Sequence, residues 1–193
     1  MTRLSKLDVV GLLQEHGAIL NGHFQLPSGF HSQTYVQTAL VLQYPHLANK
    51  IAKSMATQFP QEIDVVISPA MGAVVIGQEV ARVKKARALF AERSNGVMVL
   101  KRDFRLEGGE KVLVVEDVLT TGRSTGEVVS LAQNYGAKVM GVSAIVDRST
   151  APIPLNFPVR ALISYPLQVF PPDHCPLCSQ GVPVAAPGAA MPS

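Results

Sequence analysis

The chain has 193 residues, of which 47% are hydrophobic and only 16% are charged. This composition predicts one compact domain with a large core and excludes a disordered chain. The net charge of +3, without a block of Lys and Arg, favours a small anionic partner over a nucleic acid. No apolar run approaches the roughly 20 residues that span a membrane, and the first residues lack the apolar core of a signal peptide. We therefore expect a cytoplasmic protein that binds neither nucleic acid nor membrane.

The first forty residues predict a helix and short strands. Apolar residues recur at helical spacing at Leu4, Leu7, Val10 and Leu13. Gly17 ends this pattern. Residues 19–20 and 23–26 predict two strands around a hairpin turn at Asn21 and Gly22, and residues 35–37 are again extended.

Further along, helices and strands alternate. A helix is predicted to begin at Pro45 and to end before Pro60, and another covers residues 73–84. Further strands are predicted at residues 63–68, 88–92, 97–101, 112–115, 138–147 and, as the last one, 159–165. This alternation predicts an α/β fold with a doubly wound, mainly parallel sheet, whose ligands bind at the carboxyl ends of the strands.

Residues 112–125 (VLVVEDVLTTGRST) carry the most informative pattern. An apolar strand is followed by Glu116 and Asp117, and then by a small, hydroxyl-rich turn that leads into a helix. Amides at such a helix start bind phosphate, while the two acids suit sugar hydroxyls, a metal or a developing cation. Ser124 and Glu127 have the spacing of a capping box. The string predicts a site for a phosphorylated sugar.

Two more segments have both a structural and a functional interpretation. Residues 68–72 (SPAMG) form either a plain strand-to-helix turn or a loop whose amides contact a pyrophosphate. The polar stretch that contains Arg93, Lys101, Arg102 and Arg105 is either a solvated loop or a mobile flap whose cations close over pyrophosphate.

Two segments are candidates for recognising the second substrate. Arg148 follows Asp147 at a strand end and forms either a buried ion pair with it or a contact to a carboxylate on the acceptor. Residues 24–35 form either a simple hairpin or, through His31 and Ser32, a cap over the active site.

The two cysteines are Cys175 and Cys178, in a Cys-Pro-Leu-Cys segment. A structural zinc ion needs four ligands, His174 offers a third, and the chain has no second cysteine pair. A redox motif lacks the strand–helix context it needs. The sequence favours a plain turn in a loose Pro- and Ala-rich tail at residues 171–193.

These motifs together resemble the type I phosphoribosyltransferases and, within them, the orotate phosphoribosyltransferases. Residues 112–125 are similar to the phosphoribosyl-pyrophosphate signature of the family. Residues 26–32 (LPSGFHS) are similar to an L-x-S-G-x-x-S element that purine-specific members do not usually show. Residues 146–148 (VDR) look like a segment whose arginine contacts orotate, and Thr120 matches a threonine near the orotate ring.

The resemblance implies a type I phosphoribosyltransferase domain at residues 1–170, with a small N-terminal hood at about residues 1–40. It implies transfer of a phosphoribosyl group from 5-phosphoribosyl 1-diphosphate to orotate, with Mg²⁺ held mainly through substrate, in a homodimer whose flap acts across subunits. The implied catalytic residues are Glu116, Asp117, Lys101 and Arg102. The implied substrate-binding residues are His31, Ser32, Ala70, Met71, Gly72, Arg93, Thr120, Thr121, Gly122, Arg123, Ser124, Thr125 and Arg148.

The chain also departs from the family pattern. Many members have a lysine where Gly72 follows Met71, so a cation is missing there. The usual flap pattern is not cleanly present, Glu116 stands where Asp is commoner, and His31 lies near the position of a usual lysine. Two alternatives stay open: an enzyme for a purine or uracil, or a regulatory homologue that senses the donor.

Overall fold

The computed structural model describes residues 7–26 and 28–186. The predicted helix position Leu4, Pro27 of the 26–32 element and the last residues of the tail lie outside this range. The helices are α1 (Val9–Glu15), α2 (Ala39–Leu42), α3 (Pro45–Thr57), α4 (Val74–Lys84), α5 (Arg123–Asn134) and α6 (Pro176–Ser179). The strands are β1 (Ile19–Gln25), β2 (His31–Val36), β3 (Val65–Pro69), β4 (Arg87–Ser94), β5 (Val97–Leu100), β6 (Lys111–Leu119), β7 (Lys138–Asp147), β8 (Val159–Ser164) and β9 (Val169–Phe170).

The central sheet has six strands in the order β5-β4-β3-β6-β7-β8. All neighbours are parallel except β5, which runs antiparallel to β4. One face of the sheet packs against α1, α3 and α4, and the other packs against α5. The predicted α/β fold with a mainly parallel sheet is confirmed. No helix in the described ranges is long and apolar enough to cross a membrane.

The strands at the centre of the sheet are apolar because both of their faces are buried. In β6, Val112 to Val115 have no exposed surface, and alternate residues belong to opposite halves of the core. The strand is longer than the four predicted residues, because it continues in register with β7 until Leu119 pairs with Asp147. Glu116 and Asp117 therefore lie inside a strand rather than after it.

A second, three-stranded antiparallel sheet has the order β1-β2-β9. The predicted hairpin turn at Asn21 and Gly22 is wrong: β1 runs through these residues with an irregular register, and the chain reverses between Gln25 and His31. A strand was also missed, because β9 follows β8 and pairs with the first residues of β2.

The first part of the tail is also more structured than expected. After a 3₁₀ turn at Pro172–His174, the short α6 includes Cys178, so the segment is not a plain turn. The amide of Ala185 donates a 2.8 Å hydrogen bond to the carbonyl oxygen of His23, and Gln25 donates one of 3.0 Å back to Ala185. The described tail is thereby attached to β1.

Candidate active site

A cavity of about 150 Å³ lies where the carboxyl ends of β3 and β6 meet. It is lined by Pro69, Ala70, Met71, Gly72, Glu116, Val118, Thr120, Thr121, Gly122, Arg123, Ser124 and Thr125. Because β3 and β6 are parallel neighbours, the loops that follow them open at the same edge of the sheet. The structure thus brings the two predicted loops, residues 70–72 and 120–125, into one cavity.

The turn after β6 has a backbone that only glycine forms without strain at its centre. Gly122 has φ of 75°, and a Cβ atom there would stand 2.4 Å from Cγ2 of Ile153. Gly122, the N-cap residue, has no side chain to cap the helix start, and the Arg123 amide makes only a long 3.4 Å hydrogen bond to Thr121 Oγ1. The next amides of α5 are therefore available to a ligand at the positive end of the helix. This arrangement suits a phosphate group.

The predicted capping box in α5 is wrong. Gly122, not Ser124, is the N-cap residue, so Ser124 already lies within the helix. The Glu127 carboxylate instead accepts hydrogen bonds from Arg93 at 2.5 Å and from Arg123 at 3.2 Å. These two arginines lower the pKa of Glu127, Arg93 most strongly. Glu127 therefore connects β4 to the rim of the cavity.

Glu116 lies at the cavity wall but is only 8% exposed. Burial holds the pKa of Glu116 well above its usual range, and the neighbouring Asp117 carboxylate raises it further. Thr125 Oγ1 donates a 3.2 Å hydrogen bond to Oε2 of Glu116, which partly offsets the rise. A positive charge placed in the cavity would favour the ionised form of this acid.

Asp117 lies between the loop before α2 and the loop after β3. Its Oδ2 accepts a 2.6 Å hydrogen bond from Thr38 Oγ1, just before α2. A Cβ atom on Gly72 would stand only 2.9 Å from the same oxygen. Gly72 therefore leaves room for the carboxylate, and a side chain at this position would push against it.

Arg148 is 6% exposed at the end of β7, and its backbone amide bonds to Leu119 at the end of β6. Among the described residues its guanidinium forms no ion pair, and Oδ1 of Asp147 instead accepts from the Ser149 amide at 2.9 Å. The structural alternative, an Asp147–Arg148 pair, is therefore wrong.

Tyr35 of β2 lies within electrostatic range of both Arg148 and Asp117. Burial raises the pKa of Tyr35, the charge of Asp117 raises it further, and the charge of Arg148 lowers it. Burial also lowers the pKa of Arg148, because little solvent stabilises its charge. Burying a cation without a carboxylate partner costs free energy, because the charge loses its solvation. Such a position suits an anionic ligand.

The structure does not bring the flap candidates together. Arg93 pairs with Glu127, whereas Arg102 pairs with Glu92 and lies 5.0 Å from the ring centre of Phe90. Residues 92 and 93 point to opposite faces of β4, so the two arginines lie on different sides of the sheet. Lys101 is exposed and forms no ion pair within the described chain.

His31 and Ser32, both predicted to bind substrate, are buried but do not line the cavity. Nδ1 of His31 lies 2.9 Å from Nε2 of His23 and 3.3 Å from Sγ of Cys178. Ser32 Oγ donates a 3.0 Å hydrogen bond to the carbonyl oxygen of Gln168. His31 thus contacts the tail, and Ser32 holds the segment that leads into β9.

Three residues at the site went unpredicted. Thr38 carries no motif of its own, and its contact to Asp117 joins positions 79 residues apart. Tyr35 ends the segment of residues 24–35, in which the sequence predicts only His31 and Ser32 to face the active site. Glu127 was given a capping role because its local spacing fits one, while its partner Arg93 lies 34 residues away.

The phosphate-binding turn after β6, the acidic pair and the facing loop after β3 define a class of α/β protein that binds phosphorylated ribose. The profile of the family described as "Phosphoribosyl transferase domain" matches residues 40–174. The chain belongs to this family of phosphoribosyltransferases, and the resemblance noted in the sequence is confirmed.

Among curated proteins, the chain is 46% identical to the orotate phosphoribosyltransferase of Caldicellulosiruptor bescii, over 96% of this chain and 98% of the relative. It is 45% identical to that of Thermotoga maritima, over 92% and 96% respectively. Among solved structures, the orotate phosphoribosyltransferase of Aeropyrum pernix matches with a TM-score of 0.69 at 20% identity, over 81% of this chain and 93% of the other. The adenine phosphoribosyltransferase of Rhodothermus marinus matches with a TM-score of 0.67 at 18% identity, over 81% of this chain and 98% of the other. The two structural matches show the shared fold.

Proposed function

We propose that the protein transfers the phosphoribosyl group of 5-phosphoribosyl 1-diphosphate to orotate, which gives orotidine 5′-phosphate and pyrophosphate in pyrimidine biosynthesis. The curated relatives, similar over nearly the whole chain, support this reaction. Within the site, the observation that carries the choice of orotate is Arg148, a buried guanidinium without a carboxylate partner in the described chain. Orotate brings the carboxylate that Arg148 lacks, whereas uracil and the purines do not.

The donor fits the cavity with its 5′-phosphate at the turn of residues 120–125. The amides at the start of α5 and the hydroxyls of Thr120, Thr121 and Ser124 serve as donors to this phosphate. Residues 70–72, which line the same cavity, then face the pyrophosphate. The phosphate and the leaving group are thus held by two different loops.

The two acids serve the ribose. Their carboxylate oxygens accept hydrogen bonds from the ribose hydroxyls, and their negative charge stabilises the positive charge that develops on the ring as the bond to pyrophosphate breaks. Asp117 is held in place by Thr38, and Glu116 by Thr125. Prior orientation by these hydroxyls avoids the cost of reorganising the acids during the reaction.

Oxygen ligands are what Mg²⁺ prefers, and two carboxylates fit this preference: Glu116 lines the cavity, and Asp117 adjoins Gly72 of the cavity wall. With most ligands supplied by the pyrophosphate, these two acids would complete the coordination of Mg²⁺. When bound, Mg²⁺ neutralises charge on the leaving group.

The missing cation at Gly72 leaves the pyrophosphate to cations from elsewhere. We assign this role to the exposed Lys101, in a flap that closes over the site of the second subunit of a homodimer. Arg93 of β4, paired with Glu127, stays near the rim of the site in its own subunit. Lys101 lacks a competing ion pair within the described residues, whereas Arg102 is held by Glu92. A flap of this kind would also exclude water from the activated ribose.

The test is product analysis of the purified protein with the sugar donor, Mg²⁺ and a panel of orotate, uracil, adenine and hypoxanthine. We expect orotidine 5′-phosphate and an equal amount of pyrophosphate with orotate alone. Transfer to adenine, hypoxanthine or uracil in place of orotate would overturn the substrate assignment. Binding of the donor without transfer to any base would favour a regulatory role.

A further inference from the structure

Four metal-ligating side chains meet where the tail contacts the N-terminal hairpin. His23 in β1, His31 at the start of β2, and Cys175 and Cys178 of the tail present ligand atoms that all lie within 4.8 Å of one another. Three of these residues are buried, and only Cys178 is exposed. None of the four lines the active-site cavity. We propose that this group, the His₂Cys₂ cluster, is a structural zinc site.

The distances in the cluster are close to those of tetrahedral zinc. Bonds of about 2.3 Å to sulfur and about 2.05 Å to nitrogen place N and S ligands about 3.6 Å apart, and two nitrogens about 3.4 Å apart. Nε2 of His23 lies 3.5 Å from Sγ of Cys175 and 3.7 Å from that of Cys178, and Nδ1 of His31 lies 3.3 Å from Cys178. The two ring nitrogens are 2.9 Å apart, so zinc binding requires the imidazoles to separate by about 0.5 Å.

The tautomer of His23 is already the one that binds a metal through Nε2. Its Nδ1 lies 2.7 Å from the carbonyl oxygen of Val182, which can only accept a hydrogen bond, so Nδ1 carries the proton. The lone pair of Nε2 therefore points into the cluster. In zinc sites, a histidine that binds the metal through one nitrogen usually donates a hydrogen bond from the other nitrogen to a carbonyl or carboxylate oxygen.

The chemistry of the ligands selects zinc rather than the Mg²⁺ of the proposed reaction. Thiolate and imidazole are ligands of zinc and other soft or borderline metals, whereas Mg²⁺ takes oxygen. Two thiolates balance the charge of one Zn²⁺, so the occupied site adds no net charge to a mostly buried position. Both cysteines are free thiols, as such a site needs.

The site would fix the tail to the hairpin. Cys175 and His23 are 152 positions apart, and a bond that closes so long a loop removes much of the entropy of the unfolded chain. The hairpin carries Tyr35, which lies near Asp117 and Arg148. A structural metal here would therefore stabilise one wall of the active site without taking part in the reaction. The proposal does not depend on which base is the substrate.

The first test is the metal content of the full chain, purified without a metal-affinity tag in reducing buffer and then supplied with Zn²⁺. We expect about one zinc per chain by mass spectrometry of the metal. Replacement by Co²⁺ should give the absorption bands of a tetrahedral, thiolate-bound ion. A fully reduced protein that binds no zinc, or one found with a Cys175–Cys178 disulfide that stays zinc-free after reduction, would overturn the proposal.

The second test uses Cys178→Ser, because this ligand is exposed and its replacement leaves the core intact. We expect zinc affinity to fall at least about tenfold and the cobalt charge-transfer bands to weaken. His174→Gln is the matched control: His174 adjoins Cys175 but is exposed and lies 3.7 Å from Asp173, outside the cluster. Equal zinc affinity in Cys178→Ser, or an equal loss in His174→Gln, would contradict the assignment.

Should Cys178→Ser fail to fold, the wild-type protein provides the readout. With zinc bound, both thiols should react slowly with a thiol reagent, and a chelator should accelerate the reaction of both. Hydrogen exchange in the hairpin and in residues 175–185 should rise at the same time. Identical thiol reactivity with and without chelator would refute the site.

Discussion

Thr38 and Asp117 are joined by a 2.6 Å hydrogen bond between the threonine Oγ1 and the carboxylate Oδ2. The bond holds the acid of β6 from the loop before α2, next to Gly72 of the cavity wall. The Thr38 hydroxyl can donate equally well to the amide oxygen of an asparagine. Asp117→Asn therefore removes the charge at this position and keeps the hydrogen bond that holds the side chain.

Asp117→Asn tests the charge. We expect kcat to fall about 10²- to 10³-fold, since the amide keeps the geometry but no longer stabilises positive charge on the ribose. Thr38→Val is the companion variant: it removes the hydrogen bond and keeps the charge, so a loss of about tenfold is expected. Steady-state kinetics with orotate and the donor would measure both. An unchanged kcat in Asp117→Asn would remove the electrostatic role.

Arg148→Gln tests the recognition of the acceptor carboxylate. We expect the kcat/KM for orotate to fall about 10- to 100-fold, as for the loss of a charge-assisted contact, while the KM for the sugar donor stays unchanged. The melting temperature should not fall, because the buried guanidinium has no ion-pair partner in the described chain. Arg160→Gln, in the exposed part of β8, is the control and should match wild type in kcat/KM. A loss confined to the donor's KM would place Arg148 at the other substrate.

Glu116 predicts a pH dependence of stability. Its pKa is raised in the folded protein, so its contribution is fully present below the ordinary value of 4.5 and is lost as the pH rises through the higher folded value. Glu116→Gln cannot ionise, so its melting temperature relative to wild type should increase with pH above 4.5.

Glu127→Gln provides the opposite sign for comparison. The arginines lower the pKa of Glu127, so its contribution is present above the ordinary value of 4.5 and is lost as the pH falls through the lower folded value. Thermal melts of both variants and wild type from acid to neutral pH would separate the two trends. The same pH trend in both variants would contradict these assignments.

The extent of successful prediction follows the range of the interactions. Residues 112–125 predicted a strand, a phosphate-binding turn and a helix because all the signals are local, and the cavity forms where they implied. The predicted capping box is wrong for two reasons. Gly122 adopts the left-handed backbone conformation of the N-cap position, and Glu127 forms ion pairs with Arg93 and Arg123.

Contacts between distant segments had no signal in the sequence. Thr38 became informative only when the fold placed it beside Asp117. The sequence offers only His174 as a third zinc ligand, because nothing local points from Cys175 to His23 or His31. Antiparallel pairing of β1 with β2 brings the histidines together, and the pairing of β9 with β2 leads the tail back to them.

Gly72 offers a test of the departure from the family pattern. Gly72→Ala places a Cβ atom 2.9 Å from Asp117 Oδ2, so we expect lower kcat even from this small change. Gly72→Lys adds the ammonium that the family pattern predicts at this position, but it carries the same clash. We expect its kcat to be no higher than that of Gly72→Ala, by steady-state kinetics. A lysine variant with wild-type or higher activity would show that the loop adapts and that the cation alone was missing.

Lys101→Ala tests the flap of the proposed homodimer. Lys101→Ala should lower kcat about 10²-fold if its ammonium closes over the leaving pyrophosphate, whereas Arg102→Ala should have a smaller effect because Glu92 already pairs with that arginine.

A heterodimer of Lys101→Ala with Asp117→Asn, isolated through two different tags, separates action within a subunit from action across subunits. If Lys101 acts across, one of the two sites combines an intact Asp117 with an intact lysine, so about half of the wild-type activity per dimer returns. If it acts within its own subunit, both sites are defective and activity stays at the level of the parent variants. A heterodimer of wild type with Asp117→Asn sets the value expected for one working site.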